Sequence, residues 1–213
     1  MKFIDYQVYS GKENMQIDSD LLEEAILSQS KEPIFRLYGW SPKCISLGRN
    51  QKDNFINNEI DSVRRLTGGR ALLHDDEITY SYISPISIIP NGESIISSYK
   101  YISGILIDFF KTLGVSLYCG ENKKVSTHFD YCMLLSTGAD VCYQGKKIIG
   151  SAQFRKNGYL LQHGSILFGY DKKFLESLFN EEIKGITTVK EILPNITKEE
   201  FIIKLKKYIL DLM

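Results

Sequence analysis

The stretch 146–168 constrains the fold more than any other part of the chain. Two strand-like runs, 146–155 and 159–168, flank Lys156-Asn157-Gly158. Asn-Gly between two such runs predicts a tight antiparallel hairpin, because both residues tolerate the positive φ that the turn requires. A helix is expected over 94–113, where Ile95, Tyr99, Ile102, Leu106 and Phe109 recur at three- and four-residue steps. Gly114 stands where a left-handed residue ends a helix. The last helix is signalled by Thr197-Lys198-Glu199-Glu200, a capping-box pattern. It continues through Phe201, Leu205, Tyr208 and Leu212.

Elsewhere, strands are expected over 2–9, 33–38, 44–47, 63–66, 71–74 and 77–83. A helix over 20–27 would be capped by Asp18 or Asp20, and a short helix is expected over 55–60. Residues 121–130 give no clear signal. Hairpin signals and interspersed helices predict an α+β fold, a mixed and mainly antiparallel bent sheet flanked by helices. A length of 213 residues suits one domain spanning 1–213.

Apolar residues at 43% suffice for a sizeable core. Lys plus Arg equals Asp plus Glu, at 26 each, which argues against a dedicated nucleic-acid binder. Neither a signal-peptide pattern nor a run of about 18 apolar residues is present, so no membrane association is expected. Cys44, Cys119, Cys132 and Cys142 lack C-x-x-C spacing and read as free thiols of a cytoplasmic protein. His74, His128 and His163 lack metal-ligand spacing, and no metal site is expected. Neither a P-loop nor a dinucleotide fingerprint occurs.

Three segments carry possible chemistry. In Arg64-Arg65-Leu66-Thr67-Gly68-Gly69-Arg70, the two glycines let backbone approach a ligand, and Arg65, Arg70 and the nearby His74 offer donors. The same residues also fit a plain turn with solvated charges. In Lys147-Ile148-Ile149-Gly150-Ser151-Ala152-Gln153, strand alternation sends Lys147, Ile149, Ser151 and Gln153 to one face. Small residues there leave room either for an extended ligand or for a closely packed helix. In Gln162-His163-Gly164, His163 is either a satisfied core residue or part of a pocket wall. Cys132 is the remaining candidate nucleophile; by itself a buried cysteine is equally well inert filler.

Taken together, these segments resemble the biotin/lipoate A/B protein ligase superfamily. The resemblance runs from about Arg36 to Phe168. Arg36-Leu37-Tyr38-Gly39-Trp40-Ser41-Pro42 and Ser46-Leu47-Gly48-Arg49-Asn50-Gln51 are similar to its opening pattern. Arg64-Arg65-x-Thr67-Gly68-Gly69-Arg70-Ala71 with His74 is similar to its acyl-pocket loop. Gly145-Lys146-Lys147-x-x-Gly150-Ser151-Ala152-Gln153 and Gln162-His163-Gly164 are similar to its lysine strand and the strand that follows. The resemblance implies a fold like the catalytic domain of biotin and lipoate ligases. It implies substrate-binding roles for Arg65, Thr67, Gly68, Gly69, Arg70, His74, Gly150, Ser151, Ala152, Gln153, His163 and Gly164.

Within that superfamily, ATP-dependent lipoate ligases carry an Asn-Asp pair about eleven residues before the strand lysine. Leu135 and Ser136 stand there in this chain, and the accessory C-terminal domain that such ligases often carry is not expected. Cysteine-dependent octanoyltransferases of the Gram-positive type place a cysteine fifteen residues before the lysine, the separation of Cys132 from Lys147. Their segment usually begins Cys-Phe-Asp; here it is Cys132-Met133-Leu134. The resemblance therefore implies Cys132 and Lys147 as catalytic residues and no cofactor. It implies octanoyl-acyl carrier protein as donor and, as acceptor, a lipoyl domain or the glycine-cleavage H protein. An ATP-dependent ligase and a non-catalytic acyl-binding protein are the alternatives. Arg64, Arg65, Lys146 and Arg155 are candidates to dock an acidic carrier.

Overall fold

The computed structural model describes residues 1–52, 60–120, 131, 133 and 140–212. Strand β1 (Lys2–Tyr9) leads into helix α1 (Gly11–Leu27). This helix starts nine residues earlier than expected. Its start is set by Ser10, whose hydroxyl accepts from the Glu13 N–H while Glu13 reaches back to the Ser10 N–H. Neither Asp18 nor Asp20 is the cap; Asp18 is inside the helix and buried.

The chain continues through β2 (Ile34–Trp40), β3 (Cys44–Leu47), β4 (Asp61–Arg64), β5 (Leu72–His74) and β6 (Glu77–Pro85) to α2 (Ile95–Thr112). Then come β7 (Tyr118–Cys119), β8 (Val141–Tyr143), β9 (Lys146–Lys156) and β10 (Tyr159–Leu167), followed by α3 (Lys172–Phe179), α4 (Val189–Ile192) and α5 (Lys198–Asp211). The helix expected over 55–60 lies, except for Ile60, outside the described residues. Sequence reading missed β7, β8, α3 and α4, which are short or lack a sustained period.

Among the described residues the strands form two sheets rather than one. The larger has the order β1-β2-β6-β10-β9-β8-β7, and the smaller is β4-β3-β5. Only β1/β2 in the large sheet and β3/β4 in the small one are parallel. The β9–β10 hairpin turns at Asn157 and Gly158, both at positive φ, as their sequence predicts. It pairs in register from Tyr159–Lys156 to Ile166–Ile149.

Helices cover both faces of the large sheet. Ile102, Leu106, Phe109 and Phe110 of α2 and Phe201, Leu205 and Ile209 of α5 pack with Tyr80, Tyr82 and Leu160. Successive strand residues alternate in direction, so Ile83 and Leu161 point the other way, onto Leu22 and Ala25 of α1. Two members of the expected helical stripes, Ile95 and Leu212, are instead exposed. Ile95 is the first residue of α2; at Ser98 the helix meets the sheet through a hydrogen bond to Gln153. A further apolar cluster joins the small sheet (Ile45, Leu47, Leu72) to Tyr131, Met133, Phe179 and Ile186. No described helix is long and apolar enough to cross a membrane.

Candidate active site

Where α1 and the small sheet meet the large sheet, a chain of buried polar groups forms. Asp18 is its hub. Its carboxylate accepts from Arg36 Nη1 at 2.8 Å, from the Tyr38 hydroxyl at 2.8 Å and from the Ser81 hydroxyl at 2.9 Å. His163 Nδ1 lies 3.3 Å away. Burial alone would push the Asp18 carboxyl up. The hydrogen bond from His163, the Arg36 charge and the hydrogen bond from Tyr38 outweigh it and hold Asp18 below its ordinary value.

On the other side of His163, Nε2 lies 2.7 Å from the Thr67 hydroxyl. That hydroxyl also accepts from Arg65 Nε at 3.1 Å, which leaves its own proton free for His163. The proton on His163 then sits on Nδ1, facing Asp18, an assignment that satisfies the network. A guanidinium has five N–H donors. Besides Thr67, those of Arg65 reach the Ser46 carbonyl and hydroxyl, the Gly68 carbonyl and the Arg70 carbonyl, at 2.7–3.1 Å. Arg65 therefore spends its donors on folding the Gly68-Gly69 loop, not on a ligand. The loop also presses against Gly48, where a Cβ would stand 1.8 Å from the Gly69 carbonyl oxygen, and Gly69 itself has a φ of +93°.

The chain of groups ends at His74. Its Nε2 meets the Ser46 hydroxyl and its Nδ1 meets Glu77, each at 2.8 Å. Burial lowers the His74 pKa against the opposing pull of Glu77, so the ring is neutral at neutral pH. It stacks on Trp40 with ring centroids 3.6 Å apart, and Trp40 Nε1 donates to the Thr79 hydroxyl.

These walls enclose a cavity of about 460 Å³, counting its open mouth. Eight residues expected to bind substrate line it: Arg65, Gly69, His74, Gly150, Ser151, Ala152, His163 and Gly164. The other four do not. Thr67 stands behind His163 as its hydrogen-bond partner. Gly68 and Arg70 lend carbonyls to Arg65. Gln153 bonds Gln162 and Ser98 beneath α2, away from the cavity. Sequence reading missed Met15, Tyr38, Trp40, Ser46, Leu72, Thr79 and Ser165 in the lining. Met15 was hidden by the misplaced start of α1. The hydroxyl residues Ser46, Thr79 and Ser165, in otherwise apolar buried strands, were a usable signal.

Lys147 lies beside Gly150, one of the residues that line this cavity. Its Nζ is 3.0 Å from Asp140 Oδ1, and both side chains are buried, at 2% and 4% exposure. The pairing of β8 with β9 shifts register between Val141 and Cys142. This bulge breaks the simple alternation expected along 147–153, and the end of the Lys147 side chain comes beside Gly150. A Cβ on Gly150 would stand 3.0 Å from Lys147 Cε and 2.8 Å from Met133 Sδ. The Lys147 backbone is fixed by bonds to Gly185 and Thr187.

Cys132 lies outside the described residues, as do Leu135, Ser136 and His128. Its neighbours do not. Tyr131 is buried, bridges Ala71 just after the Gly68-Gly69 loop and stacks on Phe179. Met133 is buried against Gly150. Of the described cysteines, Cys44 has its thiol pushed up to about 12 by burial, with Asp61 and Glu77 adding to it. Burial also raises Cys119. Neither is an activated nucleophile.

Two of the four basic residues considered for docking are occupied elsewhere. Arg64 donates to the Gly48 and Gln51 carbonyls. Arg155 binds the carbonyls of Gly92 and Glu93 and the Ser98 hydroxyl. With Arg65 also committed, Lys146 alone of the four is an exposed end of a strand.

A sequence model of the lipoyl protein ligase A/B catalytic domain matches residues 10–210. Octanoyltransferase LipM of Carboxydothermus hydrogenoformans is 40% identical over 177 residues, covering 80% of this chain and 65% of the relative. The protein of the same name from Macrococcus caseolyticus is 41% identical over 187 residues, covering 78% of this chain and 65% of its own. The chain thus spans just under two thirds of the length of these relatives. Among solved structures, a lipoate-protein ligase A bound with ATP superposes with a TM-score of 0.77 at 20% identity, covering 99% of this chain and 84% of the other. A bipartite lipoate protein ligase from Thermoplasma acidophilum, solved in a study with its E2 lipoyl domain, gives 0.68 at 18% identity, with the same coverage. At these identities the structures speak for the fold alone. With the family match running over nearly the whole chain, this protein belongs to the lipoyl protein ligase A/B catalytic domain family.

Proposed function

We propose that this chain is a cytoplasmic octanoyltransferase of lipoate biosynthesis that works through a thioester on Cys132. The observation that carries the reading is the convergence at Gly150. Met133, the chain neighbour of Cys132, and the buried amine of Lys147 both reach Gly150 in the cavity wall. The relatives named octanoyltransferase, at about 40% identity, support the acyl group and the reaction class.

In the first half-reaction the Cys132 sulfur attacks the thioester carbonyl of octanoyl-acyl carrier protein. The carrier's thiol leaves and takes the proton that Cys132 gave up. In the second, the ε-amine of a lysine on a lipoyl domain, or on the glycine-cleavage H protein, attacks the acyl-enzyme. An amide forms, the amine loses a proton, and Cys132 regains its thiol. One thioester is exchanged for another before the amide forms, so neither ATP nor another cofactor is needed. The cavity holds the octanoyl tail by burial, at about 0.8 kcal/mol per methylene. Lys147 acts as the cation and proton carrier beside the sulfur.

The test is intact-mass measurement after mixing with octanoyl carrier protein. Wild type gains one octanoyl group that hydroxylamine removes, and Cys132→Ala gains none. An unchanged adduct on Cys132→Ala rules out the assigned nucleophile. Pyrophosphate release from lipoate and ATP would favour the ligase chemistry instead.

A further inference from the structure

We propose that Asp140 is the third member of the Cys132–Lys147 pair, a positioning residue whose carboxylate aims the Lys147 amine at Gly150 in the cavity wall and balances its charge. The inference rests on the function proposed above and assigns a role to a residue that its argument did not use.

The placement begins with the short β8–β9 hairpin. Gln144 and Gly145 turn it, both at positive φ, and Tyr143 pairs with Lys146 and Cys142 with Lys147. Uninterrupted pairing would set Val141 opposite Ile148 and Asp140 opposite Ile149. Instead Val141 pairs with Ile149, so the register carried one residue further sets Asp140 opposite Gly150. Directly opposed residues share a face, and a one-residue shift exchanges the faces. The bulge is thus what puts the Asp140–Lys147 pair on the Gly150 face of the sheet; without it the two would still share a face, but that of Ile149.

Two further features concentrate control of the amine in Asp140. The Lys147 N–H and C=O are tied to Gly185 and Thr187, so the backbone is fixed and the side-chain end is what remains to be aimed. Gly150 supplies the space for that end. An ammonium with 2% exposure is strongly disfavoured unless an opposite charge meets it. When Lys147 takes a proton from the thiol, Asp140 stabilises the ammonium that forms and holds its direction. This is the part that an orienting carboxylate plays behind a catalytic base.

The experiment measures alkylation of Cys132 by iodoacetamide from pH 6 to 9, resolved by peptide mass, so it needs no acyl substrate. Wild type, Lys147→Met, Asp140→Asn and Asp140→Glu are compared, with thermal melts as a check on folding. Lys147→Met is expected to slow the reaction at neutral pH. Asp140→Asn should slow it in the same direction, about tenfold or more, with a deficit that narrows as pH approaches the ordinary thiol value of about 8.5, where the sulfur ionises unaided. Asp140→Glu should recover most of the wild-type rate; if the Asn variant does not fold, the Glu variant decides alone. The inference is overturned by an Asp140→Asn that reacts at the wild-type rate or faster while Lys147→Met is slow. It is equally overturned by a deficit constant with pH that Glu does not restore. If Lys147→Met itself matches wild type, the Cys132–Lys147 reading falls and takes this role of Asp140 with it.

Discussion

His163 Nε2 and the Thr67 hydroxyl, ninety-six residues apart in the chain, lie 2.7 Å from each other behind the cavity wall. Through this bond the Gly68-Gly69 loop is latched to β10, and through the other ring nitrogen to Asp18 on α1. Thr67→Val keeps the shape and removes the hydroxyl. It leaves both His163 Nε2 and Arg65 Nε without this partner in a buried site, a loss of about 1–3 kcal/mol. Urea unfolding should show that loss for Val and much less for Thr67→Ser. Acyl loading of Cys132 should slow in parallel as the loop loosens.

Asp18 is expected to be the costliest single polar residue to remove. Asp18→Ala leaves Arg36 buried without its ion-pair partner, and breaking such a pair costs about 3–5 kcal/mol. Asp18 has a depressed folded-state pKa, so its contribution is complete above the ordinary carboxylate value of about 3.9. It is lost as pH falls through the lower, folded-state value. The stability difference between wild type and Asp18→Asn should therefore be flat from pH 5 to 8 and shrink only in acid. A difference that varied across the neutral range would contradict this assignment.

Gly150→Ala tests the convergence point directly. The added methyl would stand 2.8 Å from Met133 Sδ and 3.0 Å from Lys147 Cε, closer than atoms pack. Both neighbours are flexible side chains, so the fold should survive, at a cost of about 1–3 kcal/mol for overpacking. Octanoyl loading should fall by about 100-fold, as expected when a catalytic group moves by an ångström. Circular dichroism would show retained structure, and single-turnover mass measurements the lost rate.

What could be read from the sequence follows from how local each signal is. The Asn157-Gly158 hairpin and the Thr197 and Ser94 helix starts are written in adjacent residues and appear as read. The start of α1 is equally local, a capping box of Ser10 and Glu13, yet Asp18 and Asp20 offered competing cap residues nearer the expected helix. The bulge just after Lys147 has no local mark, because it is decided by which residues of β8 find partners on β9. Arg65 and His163 were legible as pocket residues through the family pattern. That the first folds the loop and the second latches it depends on Ser46, Thr67 and Asp18, which come together only in three dimensions. Asp140 escaped notice for the same reason, since a lone aspartate beside a short strand carries no pattern of its own.

The cavity itself can be tested by filling it. Ala152 lines it, paired across the hairpin with His163. Ala152→Leu adds three carbons into space that the acyl tail would occupy, while leaving Lys147 and Gly150 untouched. Each methylene of the tail contributes about 0.8 kcal/mol when buried, and one that no longer fits forfeits that amount. Displacing three would cost about 2.4 kcal/mol, about 50-fold in loading rate by the relation of about 1.4 kcal/mol per tenfold. A butyryl thioester, too short to reach the filled region, should load at nearly the wild-type rate. Selectivity between octanoyl and butyryl donors should therefore fall in the variant, measured as the ratio of the two adduct-forming rates. Equal losses for both donors would mean that the tail lies elsewhere and that this cavity is not the acyl site.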